Sequence, residues 1–180
     1  GVPFHVILRG ILNAGSFAEA LAAITDANRC SSGNYLIASA DGQMADVEGR
    51  PDGYDVIEPS DDMVWHANTF CGGLPAGQDR GLEAIPDSPV RTARIEELLR
   101  PVHGTLDVPT IAELLRDKQG APSAICRAVD PAYPAVEQMS TMGSFIIDLA
   151  ASTMHVAPGA PDELSHTPVT PGFAGRSLAR

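Results

Sequence analysis

Asn34-Tyr35-Leu36-Ile37-Ala38-Ser39-Ala40 and Gln43-Met44-Ala45-Asp46-Val47-Glu48, joined by Asp41-Gly42, decide the fold. Both runs alternate in the period of a strand, and Asp-Gly between them predicts a two-residue hairpin turn. Working downstream, Pro51-Asp52-Gly53 turns the chain into Tyr54–Glu58, and Ser60-Asp61-Asp62 turns it again into Met63–His66. The pattern predicts a four-strand antiparallel meander. Asp46 and Glu48 share one face of the second strand, read here as a solvated outer face rather than a catalytic carboxylate pair.

Upstream, Phe4–Leu12 carries Val6, Ile7, Leu8 and Ile11 at helical spacing behind Pro3, and Asn13-Ala14-Gly15 stops it. Ser16-Phe17-Ala18-Glu19 is a capping box that starts a second helix running to about Ala27. Downstream, Ser88-Pro89 opens a helix whose apolar stripe is Val90, Ala93, Ile95, Leu98 and Leu99, leaving Arg91, Arg94, Glu96 and Glu97 to water. A further helix begins near Pro109. Ser123–Val129 reads as a strand, and Thr141–Leu149 pairs with Thr153–Ala157 across Ala150-Ala151-Ser152. Helices and strands thus come in segregated runs, which indicates an α+β layered fold with mostly antiparallel sheet. One domain is expected over 1–162, with a polar Pro/Gly-rich tail over 163–180.

The bulk properties narrow the function. A chain of 180 residues with 44% hydrophobic and 19% charged content buries a core of its own. A net charge of −11 argues against nucleic acid or an anionic membrane as partner, and no apolar run reaches the roughly 20 residues of a membrane helix. Cys30, Cys71 and Cys126 are odd in number and widely spaced, so they form no disulfide framework and are read as buried free thiols in a reducing, cytoplasmic compartment. The chain opens on Gly1-Val2-Pro3 directly into a helix, which reads as a processed piece or fragment.

Chemistry is sought at Met63-Val64-Trp65-His66-Ala67-Asn68-Thr69-Phe70-Cys71-Gly72-Gly73, an apolar run that ends in a glycine pair. A carboxamide at a strand end is rigidly held yet able to face a cleft, where its N–H stabilises an oxyanion. Asn68 is that carboxamide, unless it merely starts the turn. His66 and Cys71 are the local base–nucleophile pair, but five positions apart on a strand they point to opposite faces. Their spacing matches no metal motif, so no metal is expected. Arg127, a cation in an otherwise apolar run, wants a carboxylate from the protein or from a substrate. No phosphate loop, dinucleotide fingerprint or Gly-x-Ser-x-Gly elbow occurs.

Val64-Trp65-His66-Ala67-Asn68-Thr69-Phe70 resembles the His-Thr-Asn-His-Phe motif of the acyl-CoA:6-aminopenicillanate (isopenicillin N) acyltransferase family, the C45 peptidases. The resemblance continues in order through Gly1-Val2-Pro3-Phe4-His5-Val6, Ser31-Ser32-Gly33-Asn34-Tyr35-Leu36, Ser123-Ala124-Ile125-Cys126-Arg127 and Val156-Ala157-Pro158-Gly159-Ala160-Pro161. It implies part of an αββα N-terminal-nucleophile hydrolase sandwich. In that chemistry a precursor cuts itself to expose a Cys, whose own α-amine is the base and whose thiol carries the acyl group. Asn68 would be the oxyanion donor, with Arg127, His66 and Phe70 in the substrate pocket. The substrate would be a small-molecule amide or acyl donor. No cofactor is implied, acyl-CoA entering only as a co-substrate.

This sequence departs from the family pattern at two places. Thr69 stands where the motif has a second His, and Gly1 is no nucleophile. The Cys is therefore expected upstream, on an N-terminal portion that would be this chain's partner. An Arg found in some relatives falls near Gln138 here. The competing reading is a non-catalytic α+β interaction module or inactive subunit.

Overall fold

A computed structural model describes residues 1–73 and 79–169, and the chain falls into two compact units, Gly1–Glu97 and Leu98–Arg180. The first unit begins with helices α1 (Phe4–Asn13) and α2 (Phe17–Thr25) and continues into strands β1 (Gly33–Ala38), β2 (Met44–Arg50) and β3 (Gly53–Ile57). The three strands form an antiparallel sheet in the order β1-β2-β3, with Tyr35 opposite Val47 and Val47 opposite Val56. Ser16 caps α2 by accepting from Glu19 N–H at 3.2 Å. The Glu19 carboxylate reaches back one residue further than expected, taking Gly15 N–H at 2.7 Å.

One face of this sheet carries the core. Tyr35 and Ile37 on β1 and Ala45 and Val47 on β2 pack on Ile7 and Ile24 of the two helices. Complete burial of Ile24 and Val47 stabilises the fold by about 1.5–3 kcal/mol each. The Phe4 ring stacks on Tyr35 with centroids 5.0 Å apart, and it stands where a side chain on residue 33 would begin, so only Gly33 fits there. Arg29, from the loop after α2, is buried and donates to Arg50 O at 2.9 Å, to Gly53 O at 2.8 Å and to Ile24 O. One side chain thus ties the end of α2 to the β2–β3 turn.

Two turns differ from expectation. The β1–β2 connection is a three-residue loop, Ala40-Asp41-Gly42, closed by Ser39 N–H donating to Gln43 O at 2.9 Å, with Gly42 at φ 89°. Asp-Gly supplies the left-handed residue such a loop needs at its last position. The two-residue turn lies instead at Asp61-Asp62, with φ of 51° and 55°, closed by reciprocal bonds between Ser60 and Met63. Pairing stops at that single bridge, so Met63–His66 is extended chain and not a fourth strand. After the glycine pair come the short helix α3 (Arg80–Ala84) and the long helix α4 (Ser88–Leu99).

The second unit holds a 3-10 turn at Arg100–Val102, helix α5 (Val108–Leu114) and strands β4 (Ser144–Asp148), β5 (Thr153–Ala157) and β6 (Thr167–Val169). These strands make a second antiparallel sheet in sequence order. Its third strand is β6, inside the stretch read as tail; residues 170–180 of that tail lie outside the described residues. Ser123–Val129 is irregular and not a strand. Its backbone bonds go to loops: Cys126 N–H donates to Asp117 O at 2.9 Å, and Arg127 O accepts from Thr141 N–H at 3.0 Å. The fold is therefore α+β with antiparallel sheets, and no helix among the described residues is long and apolar enough to cross a membrane.

Candidate active site

The loop that follows Met63 is organised by a carboxylate. Glu48 and Asp46 lie on the second face of β2, and both are buried, at 1% and 0% exposure. The solvated outer face expected for them is thus wrong. β2 is the central strand, and residues 66–72 fold over its second face. Glu48 Oε1 accepts from Cys71 N–H at 2.5 Å, Glu48 Oε2 accepts from Gly72 N–H at 2.8 Å, and His66 Nε2 stands 2.8 Å from Oε1. His66 Nδ1 lies 2.6 Å from Ala67 O, which only accepts, so Nδ1 carries a proton. A second proton must then sit between Nε2 and Oε1, because two lone pairs would otherwise face each other. The geometry is a hydrogen-bonded imidazole–carboxyl clamp rather than a free general base. Gly72 is required here, since a Cβ would stand 2.8 Å from Glu48 Oε2.

A second carboxylate holds the middle of the loop. Asp79 Oδ2 accepts from Thr69 Oγ1 at 2.6 Å and from Phe70 N–H at 2.8 Å, and Asp79 Oδ1 caps α3 through Leu82 N–H at 3.2 Å. Partial burial pushes its pKa up, but these donors outweigh it and hold the group below the usual carboxylate range. Asn68 sits between the two clamps. Its backbone N–H donates to the buried Ser88 Oγ at 2.5 Å, and Arg91 Nη2 donates to its Oδ1 at 2.7 Å. The helical spacing predicts Val90 on the apolar stripe of α4 and Arg91 in water; instead Val90 is exposed and the Arg91 side chain is 17% exposed. Ser88 and Arg91, three apart, share the helix face that meets Asn68.

Asn68, His66, Phe70, Thr69, Glu48 and Asn34 line one open cavity of about 470 Å³, with Arg80 and Gly81 at its rim. The exposed carboxamide of Asn68 thus faces a space large enough for a small substrate. Three of the four residues proposed from the sequence meet here. Arg127 belongs to the second unit, where its N–H donates to Thr141 Oγ1 at 2.9 Å and Nη2 approaches Ser123 Oγ at 3.5 Å. Gln138 donates to Tyr133 O at 3.0 Å. Asp79 carries no signal in the sequence, and Glu48 and Arg91 are expected there only as solvated charges. The one local signal was Ser88, recognised as a helix start but not as an acceptor for Asn68.

The three cysteines differ. Cys30 and Cys71 are exposed, contrary to the buried thiols expected, and only Cys126 is buried. Cys126 donates to Asp162 Oδ1 at 3.0 Å. Cys71 is no activated nucleophile, because partial desolvation and then the charges of Glu48, Asp46 and Asp79 push its thiol pKa up. His66, Glu48 and Cys71 do place ligand atoms within 4.8 Å of one another. Two ligands on a tetrahedral zinc stand about 3.3 Å apart, whereas Nε2 and Oε1 are at 2.8 Å and the carboxylate already receives two N–H donors. That set is contracted around a proton.

Asp46 gives a pH dependence with a definite sign. Both its oxygens and Asn34 Oδ1 have no hydrogen-bond partner among the described residues. Burial raises its pKa; the nearby His66 and then the Asn34 side chain offset part of this, and Glu48 adds a smaller push upward. Asn34 and Asp46 are diagonal neighbours on one sheet face. A carboxyl with a raised folded pKa stabilises the fold at low pH and loses that contribution as pH climbs from the ordinary carboxylate value through the raised one. Asp46→Asn is therefore expected to flatten this dependence, with the gap in urea midpoint between pH 5 and pH 8 smaller than in the native chain. An unchanged gap would remove Asp46 as its source.

Set against known families, the chain matches the one described as acyl-coenzyme A:6-aminopenicillanic acid acyl-transferase over residues 1–163. No curated protein matches it.

Proposed function

The chain belongs to the acyl-coenzyme A:6-aminopenicillanic acid acyl-transferase family, and from this we propose that it is the part of a cysteine amidohydrolase or acyltransferase that carries the oxyanion donor and one wall of the substrate pocket. The nucleophile is an N-terminal Cys on a portion upstream of Gly1, exposed by self-cleavage. Its α-amine takes the thiol proton, and the thiolate attacks the carbonyl carbon of a small-molecule amide or acyl donor. The carbonyl oxygen becomes an oxyanion that accepts from Asn68 Nδ2–H. As the tetrahedral adduct collapses, the leaving amine takes the proton back from the α-ammonium, and an acyl-thioester remains. Water or an amine then attacks that thioester and releases the thiol.

The observation that carries this reading is Asn68 itself, at the mouth of the cavity with its carboxamide oxygen already bound and its N–H groups uncommitted. Phe70 and His66 shape the wall beside it. Arg127 is the proposed anchor for a substrate carboxylate. The chain is taken as part of the αββα N-terminal-nucleophile hydrolase sandwich that the resemblance implies. In the second unit, Phe145 and Ile147 are 63% and 59% exposed on one face of β4, an uncovered apolar face of the kind a further layer covers. The same face also favours the second reading, a non-catalytic module that pairs with another chain.

The discriminating experiment traps the acyl-enzyme. The nucleophile-bearing protein is quenched during turnover of an amide substrate and mapped by mass spectrometry. The acyl group is expected on a Cys upstream of Gly1, with this chain alone giving no turnover. A thioester on Cys30, Cys71 or Cys126 would overturn the assignment, and no adduct at all would favour the pairing module.

A further inference from the structure

Resting on the oxyanion reading of Asn68, we propose that Arg91 is a positioning residue that fixes which end of the Asn68 carboxamide faces the substrate. A carboxamide has two orientations of nearly equal shape, and only one of them offers N–H to an oxyanion. A guanidinium carries donors and no acceptor. Arg91 Nη2 donates to Asn68 Oδ1 at 2.7 Å, so the flipped amide would set donor against donor. Arg91 is itself held: its Nε donates to Asp87 Oδ2 at 2.9 Å, with the two side chains 17% and 12% exposed. Asp87, one turn earlier, thus keeps the guanidinium from swinging to solvent.

The rest of Asn68 is fixed from the same helix. Ser88 Oγ accepts its backbone N–H at 2.5 Å, so α4 grips both the main chain and the side-chain oxygen. Nδ2 is left facing away from Arg91, without an acceptor among the described residues. A cationic donor on the amide oxygen also draws density from the nitrogen, which strengthens its N–H as a donor. Arg91 therefore does two things for the oxyanion without touching it: it selects the orientation and polarises the group.

The test is a double-mutant cycle in the nucleophile-bearing protein, with Arg91→Met, Arg91→Lys, Asn68→Ala and the Arg91→Met/Asn68→Ala pair. Arg91→Met keeps the bulk of the side chain and loses the donor; it is expected to lower kcat about tenfold with little change in KM, a fraction of what the oxyanion donor itself supplies. Arg91→Lys, which keeps a donor, should recover most of that loss. In the Asn68→Ala background, Arg91→Met should cost nothing further, because no amide remains to orient. The same tenfold loss in that background would overturn the proposal, as would a normal kcat in Arg91→Met while Asn68→Ala is impaired. A normal kcat in Asn68→Ala would instead sink the oxyanion reading itself, and this inference with it. Thermal unfolding of Arg91→Met separates a folding defect: a loss of kcat that Arg91→Lys rescues at unchanged Tm is a positioning effect.

Discussion

Asn68→Ala in the nucleophile-bearing protein is expected to lower kcat by about 10²–10³, or roughly 3–4 kcal/mol of transition-state stabilisation, with KM little changed. The size follows from where the group acts. A ground-state carbonyl oxygen is neutral and gains little from one more donor. The tetrahedral oxyanion is charged, and a donor already aimed at it stabilises it far more than it does the neutral carbonyl. A donor that serves only the charged state appears in kcat rather than in KM. Asn68→Asp is the sharper variant. It keeps the shape and replaces the donor with an anion beside Arg91 Nη2. It should be no better than alanine, whereas a merely structural Asn would tolerate it. Steady-state kinetics on the three proteins decides the matter, and an Asn68→Ala enzyme within threefold of native would remove Asn68 from the reaction.

How far the sequence carried the structure depends on which kind of pattern was being read. α1, α2 and the first hairpin are local: Ser16 accepts from Glu19 N–H, and Gly42 takes the positive φ its turn needs. Such features are written within a few residues of where they act. The errors share another origin. Asp46 and Glu48 alternate with Ala45 and Val47, and alternation was taken to mean an inside and an outside. β2 has no outside, since the helices cover one face and the 66–72 loop the other. Nothing in the strand announces that loop.

The α4 stripe failed for a related reason. Arg91 looks like surface in a helical wheel because its charge is satisfied by Asp87 and by Asn68, which lies 23 residues away in sequence. Met63–His66 is apolar enough for a strand, yet its backbone pairing stops at the Ser60–Met63 bridge and His66 turns to the Glu48 side chain. Asn68 stands out in the sequence through a family motif; the groups that hold it do not, because Ser88 and Arg91 lie on α4 some 20 residues away and only the fold brings them to it.

Glu48 is the group on which that place depends most. Glu48→Ala is expected to destabilise the fold by about 3–5 kcal/mol, the cost of leaving several buried donors without their acceptor. The substitution would orphan His66 Nε2–H together with the N–H groups of Cys71 and Gly72, three donors on one carboxylate. Glu48→Gln should cost less, because its single carbonyl still accepts from one of the three while its NH₂ faces the others. Urea unfolding gives the comparison, read as a fall in midpoint at constant slope. Substituting His66 as well tests the pair directly: with the imidazole gone, Glu48→Ala should cost less than it does alone, and the difference is the coupling. Were Glu48→Ala to cost under about 1 kcal/mol, as an exposed ion pair does, the clamp reading would fail. The clamp also links stability to chemistry. Asn68 lies between His66 and Cys71, so releasing both flanks loosens the carboxamide that must stay aimed at the cavity. Kcat in Glu48→Gln, measured well below its Tm, should therefore fall while the protein is still folded, and it should fall less than in Asn68→Ala.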